Sequence, residues 1–449
     1  ANLRYDGSSR FIGDQRWGLF PSFSAGWNIA REAFFEPLNS VVGTLKVRAS
    51  WGQLGNNNTD STDAWYPFYQ NMPTGTASSS WLINGTQQNV AGLPGIVSSL
   101  MTWETIESWN VGFDWGLFDN RLTGSFDYYN RYTYDMIGPA PLLPSVLGAN
   151  APQINNCDMK SYGWELEMSW RDRIQKFDYG VRLVVSDNLR KILRYPNETM
   201  ALSTYYKGQI LGDIWGYQTV GIAQSQEEMD KHLANGGTPN WGTSWGPGDI
   251  MYANLDGKDG VDSGANTLDD HGDMKIIGNN TPRYNFGLTL DGAWNGLDFS
   301  IFLQGIMKRD YMLGGPYFWG AQGGQWQSCA FSEHMDYWRP EGDPLGANTG
   351  AYYPKPYFNT DKNQRTQTRY LQNAAYIRLK NMQIGYTLPR IWTQKAGMES
   401  VRIYVSGDNL LTLSDISGVF DPELLGSDWG DGKLYPLQKT ISIGLNVNF

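Results

Sequence analysis

The last ten residues read Thr440-Ile441-Ser442-Ile443-Gly444-Leu445-Asn446-Val447-Asn448-Phe449. Ile441, Ile443, Leu445, Val447 and Phe449 fall on one side of an extended chain. Thr440, Ser442, Gly444, Asn446 and Asn448 fall on the other. Successive side chains of a strand point to opposite faces, so this alternation predicts a strand with one apolar and one polar face. The same period recurs upstream at residues 23–29, 45–51, 111–117, 122–128, 164–171, 179–185, 284–290, 297–303 and 401–406. In residues 377–388 the phase slips: Ile377 and Leu379 are odd, whereas Met382, Ile384, Tyr386 and Leu388 are even. One extra residue in a strand does this, so a β-bulge is predicted there. Eleven strands result, with no long amphipathic helix.

The connections sort by length. Asp119-Asn120 and Asn295-Gly296 mark tight turns, the second being the strongest short hairpin signal. Residues 171–179, 29–45 and 388–401 are also short links. Between them lie long ones at 53–109, 130–163, 187–282, 305–375 and 407–439, in strict alternation with the short ones. Outer-membrane barrels segregate short periplasmic turns from long extracellular loops in this way. The expected fold is therefore all-β: a transmembrane antiparallel β-barrel with lipid against the apolar faces, a wet lumen against the polar ones, and long extracellular loops.

Composition agrees. The 449 residues carry a net charge of -10, which excludes nucleic acid as a partner, since phosphate contacts need clustered Lys and Arg. Two cysteines cannot build a disulfide framework or a four-cysteine zinc site. The 19 Trp, 26 Tyr and 18 Phe are enough to furnish interfacial girdles and aromatic loops. No apolar run approaches the ~18 residues of a spanning helix. If the long connections lie outside the cell, the strand ending at Phe449 runs inward, and so does the strand at Phe23. A barrel of this type has an even strand number, so eleven strands do not close it. Ala1–Tyr5 reads as the end of an outward strand. Further strands are expected from another segment or another chain.

The residues also resemble a known family. RYDGSSRF (Arg4–Phe11), RWGLFPSFSAGWNIAREAFF (Arg16–Phe35), LKVRASWGQLGN (Leu45–Asn56) and TWETIESWNVGFDWGLFDNRLTGSFDYYNRYTYDMI (Thr102–Ile137) come first. NAAYIRLKNMQIGYTLP (Asn373–Pro389), RIYVSGDNLLTLSDISGVFDPE (Arg402–Glu423) and YPLQKTISIGLNVNF (Tyr435–Phe449) follow in order. Together they resemble the C-terminal half of the SusC/RagA-type TonB-dependent outer-membrane transporters of Gram-negative bacteria. The resemblance implies a 22-stranded barrel around an N-terminal plug. Residues 1–449 would then be the C-terminal part of that single barrel, about 11–12 strands of it, with the plug and first strands lying outside the sequence. The strand at Phe23 becomes strand 12, in agreement with the parity above. The implied function is TonB-dependent uptake of large substrates, such as oligosaccharides or peptides, under a SusD-like surface lipoprotein. The implied partners are that lipoprotein, the N-terminal half, TonB through that half, and the membrane lipid.

Several sequence features are candidate sites. Residues 249–262, DIMYANLDGKDGVD, place Asn254, Asp256, Asp259 and Asp262 on a loop that Gly257 and Gly260 can bend, as a calcium site requires. Lys258 adds one residue too many for the EF-hand spacing, so an Asp/Gly-rich turn without metal is the plain alternative. No cofactor is otherwise required. Gly242-Thr243-Ser244-Trp245-Gly246 fits GxSxG, with Asp269, Asp270 and His271 downstream, but no strand leads into it and Pro247 follows, so it is read as chance. His232, His271 and His334 lack zinc spacing. No residue is assigned a catalytic role.

Cys157 and Cys329 fall in long loops, where a disulfide and two free thiols are both open. Aromatic clusters at residues 65–69, 241–245, 317–326 and 352–357 serve either to stack on sugars or peptides or to pack loops together. Among them Trp319 and Trp326 are taken as substrate contacts, because Gly323-Gly324 allows close approach. Rival readings are a passive porin-like channel and a soluble, aromatic-rich glycan-binding β-protein. Phe449, terminal on an alternating strand, is read as the signal recognised by outer-membrane assembly machinery. Deleting Phe449 is expected to lower the fraction of transporter that becomes heat-modifiable on gels; normal assembly of the deletion would remove that role.

Overall fold

The computed structural model describes residues 1–58, 66–76, 82–140, 144, 146, 151–321, 328, 330–358, 360–426 and 432–449. Its frame is one twelve-stranded antiparallel sheet in which each strand pairs with its neighbours in sequence. The first six strands are β1 Asn2–Gly7, β2 Trp17–Asn28, β3 Val42–Asn56, β4 Glu104–Leu117, β5 Leu122–Gly138 and β6 Ile154–Ile174. The others are β7 Phe177–Arg194, β8 Arg283–Trp294, β9 Leu297–Lys308, β10 Tyr376–Thr387, β11 Ser400–Ser414 and β12 Thr440–Asn448. All eleven expected strands are present, and β1 is the outward strand whose end was read at Ala1–Tyr5. The sheet is open, with β1 and β12 as its two edges.

The register carries the apolar faces round the sheet without a break. Trp51 of β3 sits opposite Phe23 of β2 and Trp109 of β4. Leu166 of β6 sits opposite Phe126 of β5 and Val185 of β7. Val405 of β11 faces both Ile384 of β10 and Ile443 of β12. A slip of one residue anywhere would invert the whole row, so a single apolar phase fixes the pairing. None of these side chains is buried, and at the edge strand Ile443 is 80% exposed and Phe449 90%. Burying one such side chain is worth about 1.5–3 kcal/mol, so a long continuous strip of them left in water is untenable. The main buried cluster is elsewhere, built from Tyr252, Phe318, Trp338, Tyr370, Phe420 and their neighbours in the long connections. Strands with a bare apolar side and loops with a core of their own describe a wall standing in hydrocarbon.

Local chemistry sets the turns. Asn295 and Gly296, between β8 and β9, have φ of 48° and 87°, the two left-handed positions of the hairpin turn that Asn-Gly favours. Gln175-Lys176 alone joins β6 to β7. The predicted bulge is at Lys380. Leu303 pairs with Leu379 and Phe302 with Asn381, so Lys380 has no opposite number on β9 and the phase of β10 inverts there.

Two expectations are corrected. The connections at 53–109 and 130–163 are shorter than the alternation implied, because β3 to β7 continue well past their apolar segments, β6 for 21 residues in all. Beyond the hydrocarbon both faces meet water, so the period-two signal fades while the backbone ladder persists. For the same reason Cys157 is buried in β6, at an irregularity of register between Asn155 and Met159, and not in a loop. Cys329 lies outside the described residues.

The orientation of the wall predicts a sharp asymmetry on β12. Ile443→Lys should cost about 2–4 kcal/mol in reversible urea unfolding of the intact protein in lipid vesicles. Ser442→Lys, one residue away on the polar face, should cost far less.

Candidate functional site

On its polar face the wall carries fixed charges held in pairs. Arg48 of β3 reaches Asp114 of β4 and Asp127 of β5, each at 2.9 Å. Arg182 of β7 pairs with Glu167 of β6 at 2.8 Å, and Arg402 of β11 pairs with Asp298 of β9. Most of these are partly exposed to the lumen, where a pair contributes about 0–1 kcal/mol, so they set the polarity of the passage more than its stability. Arg378 differs. It is buried and ties β10 to the β11–β12 connection through Asp421 at 2.7 Å and Glu423 at 3.2 Å, and Lys380 adds a bond to Glu423 at 2.8 Å. Burial alone would raise the Asp421 carboxyl. Hydrogen bonds from Arg378 and from the Glu423 and Leu437 N–H groups outweigh that and hold it below the usual carboxylate range.

Above the wall the long connections fold into a body of their own. The β7–β8 connection contributes two hairpin-like pairs, Asp213–Tyr217 with Met274–Asn279 and Thr219–Ile222 with Ile250–Tyr252. It also holds one short helix, α1 Gln226–His232, capped by Ser225 Oγ accepting from the Glu228 N–H at 3.1 Å. The β9–β10 connection pairs Asp310–Met312 with Leu371–Asn373. The two connections share an aromatic core in which Tyr370 packs edge-on against Trp319, with ring centroids 4.7 Å apart. Burial pushes the Tyr353 and Tyr370 phenols well up, so both remain neutral.

A fully enclosed polar node joins the same two connections. Lys362 Nζ donates to Asp249 Oδ2 and to the Ser244 carbonyl, both at 2.9 Å, and lies 4.1 Å from the centre of the Tyr357 ring. Asn363 donates to the other Asp249 oxygen at 2.8 Å and accepts from the Ile250 N–H. Sequence reading missed this node. Asp249 and Lys362 are 113 positions apart, and each looks like an ordinary solvated charge in its local context.

The residues singled out from sequence fare unevenly. Trp319 is only 7% exposed and belongs first to the aromatic core. It also lines a cavity of about 190 Å³ with Phe331, His334, Tyr353 and Tyr357. Trp326 lies outside the described residues. Trp241 and Trp245 pack on Tyr252, so they too serve the core. Tyr66, Phe68 and Tyr69 form a mutually touching group with two of its rings exposed. Phe449 stands exposed beyond the end of β12.

In the 249–262 loop the Asn254 amide donates to the Gly236, Lys258 and Gly260 carbonyls, and its oxygen accepts from the Gly257 N–H. Asp256 accepts from the Lys258 N–H and pairs with Lys258 Nζ at 3.1 Å. Asp262 accepts from the Gly264 N–H, and Asp259 is exposed. Among the described residues no three His, Cys, Asp or Glu side chains come together as a metal set. Lys258, the residue too many in the sequence pattern, is the cation that Asp256 faces, with Asp270 as its other partner at 3.4 Å. Ser244 of the GxSxG match has φ 63°, with no strand running directly into it and no helix after it in the connection. His271 is turned to Trp215, with ring centroids 5.2 Å apart. Nothing there assembles a nucleophile.

The apolar outer rows, the polar lumen and the one-sided loops define an outer-membrane β-barrel. The chain belongs to the TonB dependent receptor-like β-barrel family, whose pattern it matches over residues 1–410. It is 29% identical to TonB-dependent receptor P3 of Formosa agariphila over 99% of its length, and 25% identical to TonB-dependent receptor SusC of Bacteroides thetaiotaomicron over all of it. It spans less than half of each, 43% and 42% respectively. Its fold superposes on the structure of the RagAB peptide transporter with a TM-score of 0.72 at 22% identity, covering all of this chain and 45% of that one. Members of the family reside in the outer membrane of Gram-negative bacteria, and so does this protein. The soluble reading is thereby set aside.

The buried node yields a prediction about the loops. Lys362→Met leaves Asp249 buried without its cation and should cost about 3–5 kcal/mol locally, seen as faster proteolysis of the β7–β8 connection in the intact protein. Adding Asp249→Leu should restore much of the protection.

Proposed function

We propose that this chain forms part of the wall and part of an outer canopy of a TonB-dependent nutrient importer. The observation that supports it best is the pairing of a polar, ion-paired lumen with large folded loops gathered at one end. A sieve needs only a pore. A structured canopy with its own aromatic core suits capture of a large solute, such as an oligosaccharide or a peptide. The two free sheet edges support the rest of the reading. Unpaired backbone groups in hydrocarbon cost several kcal/mol each, so further strands of the same transporter complete the cylinder and bring the plug that TonB pulls. The exposed group of Tyr66, Phe68 and Tyr69 suits contact with a SusD-like lipoprotein lid, since aromatic side chains are enriched at such interfaces. The aspartate loop stays within the proposal as a calcium site only if a cation displaces Lys258; calorimetric titration of the intact transporter with calcium decides this.

The reading is tested by uptake of labelled oligosaccharide and peptide pools into cells that carry the intact transporter, with and without TonB. Import should fall to background without TonB, and the purified transporter should conduct little in planar bilayers. Undiminished import without TonB, together with steady large conductance, would instead describe a passive channel.

A further inference from the structure

Arginines of the wall are almost all neutralised. Every arginine of the twelve strands except two has a carboxylate oxygen at 3.9 Å or less. The exceptions are Arg131 of β5 and Arg190 of β7, whose side chains have no ion pair or hydrogen bond among the described residues. They are not scattered. Ser161 of β6 lies directly opposite Arg131 on one side and Arg190 on the other, and Ser108 of β4 lies opposite Arg131 in turn. All four share the polar parity of Asp127 and Ser186, opposite to the apolar row of Tyr128 and Trp164, so they face the lumen. Both guanidiniums are exposed to it.

The row stands at the loop-bearing end of the wall, four residues from the point where β7 leaves the sheet at Arg194. One row below come Asn110, Tyr129, Gly163 and Asn188. Gly163 is required there, because a Cβ would come within 2.8 Å of the Tyr129 hydroxyl and 2.3 Å of the Asp187 carbonyl. The result is a recess whose lining holds the two arginines, Ser108, Ser161, Tyr129 and the two asparagines. Its single carboxylate is Glu165, which is exposed and itself has no ion pair among the described residues.

Two like charges in one register row repel, and elsewhere in this wall the sequence supplies the countercharge from the sheet or, for Arg378, from the β11–β12 connection. Around this pair the register neighbours are hydroxyls and amides instead, groups that donate hydrogen bonds to anion oxygens. The two Cα atoms are two strand spacings apart, about 10 Å. At that separation two long side chains can converge from either side on one group between them. The planar guanidinium fork matches the paired oxygens of a carboxylate or sulfate.

We propose that Arg131 and Arg190 form an anion-binding site at the mouth of the lumen, taking a carboxylate or sulfate group on the transported nutrient. This rests on the importer reading and narrows it to negatively charged cargo.

The test is calorimetric titration of the purified intact transporter in detergent, first with inorganic sulfate, then with trigalacturonate against maltotriose. Sulfate should bind, and trigalacturonate should bind more tightly than maltotriose. Arg131→Gln and Arg190→Gln should each weaken the two anions about tenfold or more. Arg182→Gln, which removes a paired arginine, should leave anion affinity unchanged. Retained folding of each variant is read from its heat-modifiable gel shift. Absence of sulfate binding to the parent protein, or binding that survives both substitutions, overturns the site. Sulfate binding with no preference for trigalacturonate makes it a free-anion site and overturns the assignment to cargo. No sulfate binding, with a gel shift moved to lower temperature in the Gln variants, places a carboxylate of another transporter segment in the recess and also overturns it. None of these measurements involves TonB, so a failure here leaves the importer reading to stand or fall on energised uptake in cells.

Discussion

Every feature of this protein follows from one demand: inside hydrocarbon, no backbone N–H or carbonyl can go unpaired. Strands meet it only by pairing on both sides, and pairing in a fixed register forces each strand to show one continuous side to lipid. The rows through Trp51, Leu166 and Ile443 are that side. Because register is locked by the outward rows, the inward positions are placed without having to pack against anything. They are therefore available for charge, and the chain uses them for Arg48, Arg182 and Arg402 with their carboxylates.

The same demand divides the energetics. In most proteins the core lies beneath the sheet. Here the sheet draws its apolar stabilisation from lipid, and the chain spends its conventional core on the connections, where Tyr252, Phe318 and Tyr370 are fully enclosed. Large connections that alternate with short turns all emerge on one side, so they can pack on each other. The Asp249–Lys362 node shows how far this goes, since a buried ion pair survives only where its geometry is complete and its remaining hydrogen bonds are satisfied.

How much of this the sequence revealed depended on the range of the signal. Alternation is local, so the strands, the Asn295-Gly296 turn and the slip at Lys380 could all be read from neighbouring residues. Strand ends could not, because above the lipid nothing enforces a two-residue period; Cys157 was misplaced for that reason. Loop aromatics were ambiguous in principle. A tryptophan that would stack on a sugar and one that fills a core have the same local sequence, and Trp319 turned out to be enclosed. Contacts such as that of Asp249 with Lys362 join residues on different connections and leave no mark in either segment. The unpaired arginines were likewise invisible until the register showed which of their neighbours lacked a carboxylate.

The joining of the β7–β8 and β9–β10 connections into one mass has a mechanical corollary. Pulling them apart would expose a shared aromatic interior and strand a buried ammonium, so that sector of the rim moves as a single block. Any opening above the lumen therefore lies beside this block and not through it. For whatever passes, this sector is a fixed jamb.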